Sequence, residues 1–188
     1  MSDTQALCAL IGGRRETAQG KLLLSRVSRY ASICIDEMGD AIGSVTAAWA
    51  RVAQAAAATR KPEYADGIRI LLSSLQNKAN FEQSEFSSDF GEAARGLLTM
   101  TWMTDSPVSV LAPMAIGFVA RSFASNPAES RQLLEQVLLE PRFSAHAHEE
   151  APRLAKGVGF IIPADPLFAV SISSVLFGRA APSRGQAW

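Results

Sequence analysis

The run from Val158 to Arg179, VGFIIPADPLFAVSISSVLFGR, limits what this chain can fold into more than any other stretch. Two apolar segments flank Pro163-Ala164-Asp165-Pro166, and Asp165 is the only charge before Arg179. Proline lacks a backbone donor and clashes inside a helix, yet it suits the first helical turn, so Asp165 and Pro166 read as an N-cap and the residue after it. The stretch is therefore expected to be two helices meeting at a tight corner. Each is apolar around most of its circumference, the pattern of a helix covered on more than one side.

Signals of the same kind recur along the chain. A helix over about Asp3 to Ile11 should stop at Gly12-Gly13. From Glu16 to Met38, Leu22, Leu23, Val27, Tyr30, Ala31, Cys34 and Ile35 recur at three and four residues, as one helical face does. Asp40 to Thr59 is alanine-rich, with Ile42, Val45, Trp49 and Val52 on one stripe, and Arg60-Lys61 followed by Pro62 marks its end. Glu63 to Lys78 carries Ile68, Ile70, Leu71, Leu72 and Leu75; Asn77 to Ser88 reads as a connection. Ser87 or Ser88 should cap a helix to Met103 that turns Phe90, Ala94, Leu97, Leu98 and Met100 or Thr101 inward. Ser106-Pro107 opens a helix to Ser125, and Asn126-Pro127 opens one to Glu140, with Glu129 placed for a capping box. A helix from His146 to Ile162 and one from Pro166 to Arg179 follow, and residues 180–188 read as a disordered tail. The expectation is an all-α fold of about nine helices in antiparallel pairs, a single domain over 1–179 divisible at 61/62.

A chain of 188 residues can bury roughly 70% of its extended surface, enough for a real core. Only 7% of the residues are aromatic and few segments alternate with period two, which leaves strands without support. Eighteen basic and eighteen acidic side chains cancel, which argues against nucleic acid or an anionic membrane as partner. The apolar runs Pro107 to Ala120 and Leu167 to Phe177, 14 and 11 residues, fall short of the ~20 that a membrane span needs. Cys8 and Cys34 read as small buried hydrophobes rather than a redox pair, and Asp3 near the start is unlike a secretory leader; a cytoplasmic location is expected.

The prolines carry a further regularity. Pro113 and Pro152 are 39 residues apart, as are Pro127 and Pro166, and in that register Asn126 pairs with Asp165, Val119 with Val158, Leu133 with Ile172 and Val137 with Leu176. A shift of 39 the other way places Ser87 under Asn126 and Leu98 under Val137. A helix pair of about 40 residues opened by a cap and a proline resembles a HEAT-type α-solenoid repeat, over roughly Pro62 to Arg179. The resemblance implies a right-handed solenoid, with an irregular helical bundle as the other arrangement. More loosely, Asp165-Pro166-Leu-Phe with Val-Leu-Phe-Gly178-Arg179 is similar to repeat ends in the helical regions of large bacterial STAND-type NTPases, which would make this chain a detached helical part of a signalling or defence assembly.

Candidate catalytic and metal motifs fail on spacing. Between Gly13 and Gly20 lie six residues, where a phosphate loop has four, and Leu22 stands where its hydroxyl should be. His146 and His148 are two apart and point to different sides of a helix, unlike a zinc pair. No nucleophile elbow is present in the sequence, and no catalytic residue, cofactor site or metal site is assigned. Arg15, Arg26 and Arg29 fall roughly on one helical side, which reads first as a solvated face and otherwise as a basic face for an acidic partner or phosphate. The last helix has no charged face: Leu167, Phe168, Ile172, Val175, Leu176 and Phe177 are expected to be covered by a protein partner or a second copy. The function expected is thus a non-enzymatic helical-repeat scaffold or interaction module. The alternative is a compact bundle that binds a small apolar ligand, or acts as an enzyme, in an internal pocket among the Met, Phe and Trp residues of Met100 to Phe123.

Overall fold

The computed structural model of the chain describes residues 24, 26–31, 33, 35, 43–78, 81, 86–102, 112–139 and 154–180. Among them there is no strand, and eight α-helices pack against one another. Helix α1 holds residues 24, 26–31, 33 and 35, α2 is Gly43–Ala58, α3 is Ala65–Leu75 and α4 is Ser87–Trp102. Then come α5 (Ala112–Arg121), α6 (Pro127–Leu139), α7 (154–161) and α8 (Pro166–Ala180), with 3-10 turns at Pro62–Tyr64 and Phe123–Ser125. The expected first helix, Asp3 to Ile11, lies outside the described residues, as do Cys8, Cys34, His146, His148 and the chain after Ala180.

Helix α4 is the centre: α2, α3, α5 and α6 all pack on it. Its inward residues Phe90, Ala94, Leu97 and Leu98 are buried as their spacing predicts, and Met100 and Thr101 are both buried. Its start differs from the expectation. The helix begins at Ser87, and the carbonyl of Phe86 accepts the first turn's bond from the Phe90 amide at 2.9 Å, so neither serine holds the capping position. Aromatic packing sets the entry instead. The Phe86 ring meets Phe81 edge-on at 5.6 Å, Phe81 meets Phe90 at 4.7 Å, and Phe90 meets Phe118 of α5 at 6.0 Å.

On helix α2 the expected apolar stripe is covered only in part. Val52 is buried, but Val45 and Trp49 are only half-buried, while Ala47, Ala50, Ala53, Ala56 and Ala57 are sealed. Alanine faces the core because α4 comes too close for anything larger. A Cβ built on Gly96 would stand 2.8 Å from the Ala57 Cβ, well inside the ~3.5–4.0 Å at which carbon atoms rest. A similar shift occurs in α1, whose buried stripe is Leu24, Ser28, Ala31 and Ile35, whereas Tyr30 is exposed. Leu24 and Ser28 lie over Gly67 of α3, and the ammonium of Lys78 donates to the Ile35 carbonyl.

The long helix expected from Pro107 to Ser125 ends at Arg121. At that end the Ser122 hydroxyl donates to the Phe118 carbonyl at 2.9 Å and the Ser125 hydroxyl to the Ser122 carbonyl at 2.8 Å, carbonyls that also accept the Ser122 and Ser125 amides, and the chain passes into a 3-10 turn. Buried side chains from Leu24 in α1 to Ile172 in α8 form one hydrophobic cluster.

The α2–α4 approach sets a measurable coupling. Gly96→Ala should destabilise the fold in spite of alanine's higher helix propensity, and adding Ala57→Gly should recover stability, with a coupling of about 1 kcal/mol or more in a denaturant double-mutant cycle. Strict additivity, within about 0.3 kcal/mol, would contradict the contact.

Candidate functional site

The corner between α7 and α8 is built as Asp165 and Pro166 require. The Asp165 carboxylate accepts the Phe168 amide at 2.9 Å, and its backbone carbonyl accepts the Ala169 amide at 3.0 Å, while Pro166 is the first helical residue. At the preceding corner, Asn126 takes the Glu129 amide at 3.3 Å on its side-chain oxygen, and its carbonyl takes the Ser130 amide at 3.1 Å. Both caps bond three residues ahead. Glu129 reaches back to the Asn126 side-chain amide at 3.0 Å and also pairs with Arg95 of α4 at 2.8 Å. The Arg95 side chain is only 6% exposed, so the carboxylate that completes this cap is also the counterion of a buried cation.

The residues expected on the partner-binding face divide sharply. Phe168 and Ile172 belong to the chain's own core, with Phe168 stacked on Phe123 at 5.8 Å, and Val175 is partly buried against that core. Leu167 is 82% exposed and Val170 65% exposed, and they share a side of α8 three residues apart. Beside them Ile162, at the end of α7, is 52% exposed. Val158, Ile162, Pro166 and Val170 flank an open groove of about 480 Å³ with Ser173 and Ser174 at one end. The side chains of Leu176 and Phe177 lie outside the described residues.

Arg131 of α6 clamps this corner from the other side. Its guanidinium donates to Glu135 at 2.9 Å and to Asp165 at 3.1 Å, and lies over the Phe168 ring at 5.0 Å. The hydrogen bond with Glu135 is the largest influence on its proton affinity and raises its pKa above the ordinary guanidinium value. The pair with Asp165 is half-exposed on the arginine side, where solvent screens it strongly. Of the basic face, Arg26 and Arg29 are exposed on α1 and Arg15 lies outside the described residues.

A second recess lies between α5 and α7. Met114, Gly117 and Arg121 come from α5, Lys156 and Phe160 from α7, and Gln76 with Asn77 from the end of α3, around a cleft of about 430 Å³. The Arg121 guanidinium stacks 4.1 Å from the Phe160 ring centre and 5.1 Å from that of Phe81. Nothing in the sequence reading marked these residues as a group. The segments that bring them together are far apart in the chain. Met100, Phe118 and Phe123 of the expected internal pocket are buried. Among the described residues no group of three or more His, Cys, Asp or Glu side chains could hold a metal ion, and no helix is long and apolar enough to cross a membrane.

No protein-family model, curated protein or solved structure matches this chain. The likeness to HEAT-type repeats therefore stands on the proline register and the cap residues quoted for it.

The two functions of Asp165 can be separated. Asp165→Ala, which removes both the cap and the Arg131 pair, should cost about 1–2 kcal/mol in urea unfolding, and Asp165→Asn, which keeps a capping oxygen, only a few tenths. An equal loss in both variants would assign the effect to charge instead.

Proposed function

We propose that this chain is a non-enzymatic helical interaction module, built from HEAT-like helix pairs, that binds a protein partner or a second copy of itself through the α7–α8 corner. The observation that carries the reading is the exposure of three large aliphatic side chains at one corner, Ile162 and Val170 along the same groove and Leu167 one turn from Val170, while Phe168, Ala169 and Ile172 of the same helix are buried. Three large aliphatic side chains in water on one corner are poorly placed unless association covers them, because burying each contributes about 1.5–3 kcal/mol. The rigid caps at Asn126 and Asp165 support the same reading, since a preorganised surface loses little entropy on docking. Arg26 and Arg29 extend the proposal to an acidic partner surface on α1.

The test is association. Light scattering after size exclusion, together with a pull-down, should show a dimer or a captured protein for the wild-type chain. The exposed-site double variant Leu167→Asp/Val170→Asp should weaken that association at least a hundredfold with little change in melting temperature, the equivalent of about 3 kcal/mol. A monomeric wild-type protein that captures nothing would overturn the proposal, as would association indifferent to both substitutions.

A further inference from the structure

A recess of about 350 Å³ lies over the middle of α4, between the end of α2 and the start of α6, and falls in the ~300–1,000 Å³ range of small-molecule sites. Much of the charge on its described walls is already committed. Arg95 is held by Glu129 at 2.8 Å and donates to the Ser125 hydroxyl at 3.3 Å, and Asn126 is engaged with Glu129 as the cap of α6. Two charges of opposite sign remain, Arg60 just past α2 and Glu92 on α4. The Glu92 carboxylate accepts the Gln54 side-chain amide at 2.9 Å, and among the described residues neither it nor Arg60 belongs to an ion pair.

Arg60 is in an unusual place for an arginine. Its backbone φ is +53°, the one positive value for a non-glycine residue among the described residues. Its amide closes the end of α2 on the Ala57 carbonyl at 3.0 Å, the helix-stop position at which glycine is strongly favoured because a Cβ is strained there. Ending the helix does not ask for arginine. The consequence of having it is an exposed guanidinium on the wall of the recess, bought with local strain of the kind that collects at binding sites.

Spacing and charge together select an occupant. Gln54 meets Glu92 and Ala57 meets Gly96, so α2 and α4 run side by side in step, and Arg60 stands between one and two helical turns of about 5.4 Å from the Gln54–Glu92 pair. An α-amino acid covers a comparable distance: its ammonium and carboxyl centres are about 2.5 Å apart, and each charged contact adds about 2.8 Å. A simple anion would bring a like charge toward Glu92 and a simple cation one toward Arg60, whereas a molecule with both charges answers both walls. Leu133, Ala57 and Ala58 supply the apolar remainder of the lining.

We propose that this recess binds a zwitterionic aliphatic α-amino acid. Its carboxylate lies on the planar fork of Arg60, its ammonium on Glu92 and the side-chain oxygen that Gln54 keeps free when its amide turns to Glu92, and its side chain against Leu133 and the two alanines. The recess shares no residue with the α7–α8 corner, and so stands or falls independently of the interaction module.

Calorimetric titration of the full chain near pH 7 tests it, with alanine and leucine as zwitterionic probes and two leucine derivatives as controls, the methyl ester without the anion and the N-acetyl acid without the cation. At least one of the two amino acids should bind saturably, and both controls at least about tenfold more weakly. Arg60→Gly, which relieves the left-handed strain, should weaken the amino acid at least tenfold with an unchanged or raised melting temperature. Glu92→Gln, on an exposed side chain, should weaken it about tenfold, and Ala58→Trp, on an exposed helix position, should block the recess while the chain stays folded. Absence of saturable binding of both amino acids up to about 10 mM would overturn the proposal, as would controls that bind as tightly as leucine or binding that Arg60→Gly leaves intact.

Discussion

Everything else in this fold is arranged around how closely α2 can approach α4. Gly96 on one helix and Ala57 on the other leave no room for another carbon between them, and the alanine face of α2 extends that contact along its length. Dispersion forces fall off steeply with separation, so two smooth helices in close contact gain many small attractions that bulky side chains would hold apart. Because the buried face of α2 is mostly alanine, the large side chains of the core come from the rest of the chain, among them Tyr64, Phe90, Phe118, Phe123 and the leucines of α3, and Phe90 of α4 meets Phe118 of α5.

The second half of the chain is held differently. Its corners are fixed by polar groups: Asn126 and Asp165 bond the amides three residues ahead, Glu129 joins its cap to the buried Arg95, and Arg131 spans from α6 to Asp165. The Arg131–Asp165 pair is exposed and weak on its own, whereas the Glu129 carboxylate answers a buried cation; with the two caps they tie α6 to α4 and to the start of α8. In the resulting arrangement Phe168 and Ile172 are buried while Leu167 and Val170 face water, and Arg121 of α5 and Lys156 of α7 line one cleft.

Much of the secondary structure was legible in the sequence because it depends on neighbours. The Asp165-Pro166 and Asn126-Pro127 starts, the inward spacing on α4 and the absence of strands among the described residues follow from capping, proline geometry and helical periodicity. The errors share one cause. On α1 and α2 the expected stripes are covered only in part: Ala31, Ile35 and Val52 are buried and Trp49 packs half-buried against the core, but Tyr30 is exposed, while Ala50, Ala53 and Ser28 outside those stripes are sealed. Hydrophobicity ranks side chains by what they gain on burial and says nothing of the space available, which a neighbouring helix decides. The start of α4 is the same kind of case, where buried aromatic contacts of Phe86 took the place of a serine cap.

The candidate sites divide along that line. The apolar character of the last helix could be read directly, but all six apolar positions named on it looked equivalent. Phe123 stacking on Phe168 and the insertion of Ile172 into the core distinguish them, and both depend on residues distant in the chain. The cleft at Arg121 had no sequence signature at all, since Gln76, Arg121 and Lys156 belong to three separate segments and to no motif. The sequence by itself determined that this chain is helical and where several of its helices begin, because caps and periodicity act over three or four residues. Which face of each helix is covered, and which charged groups meet, was decided only by tertiary packing, because close approach and shared clefts arise between segments that no local pattern connects.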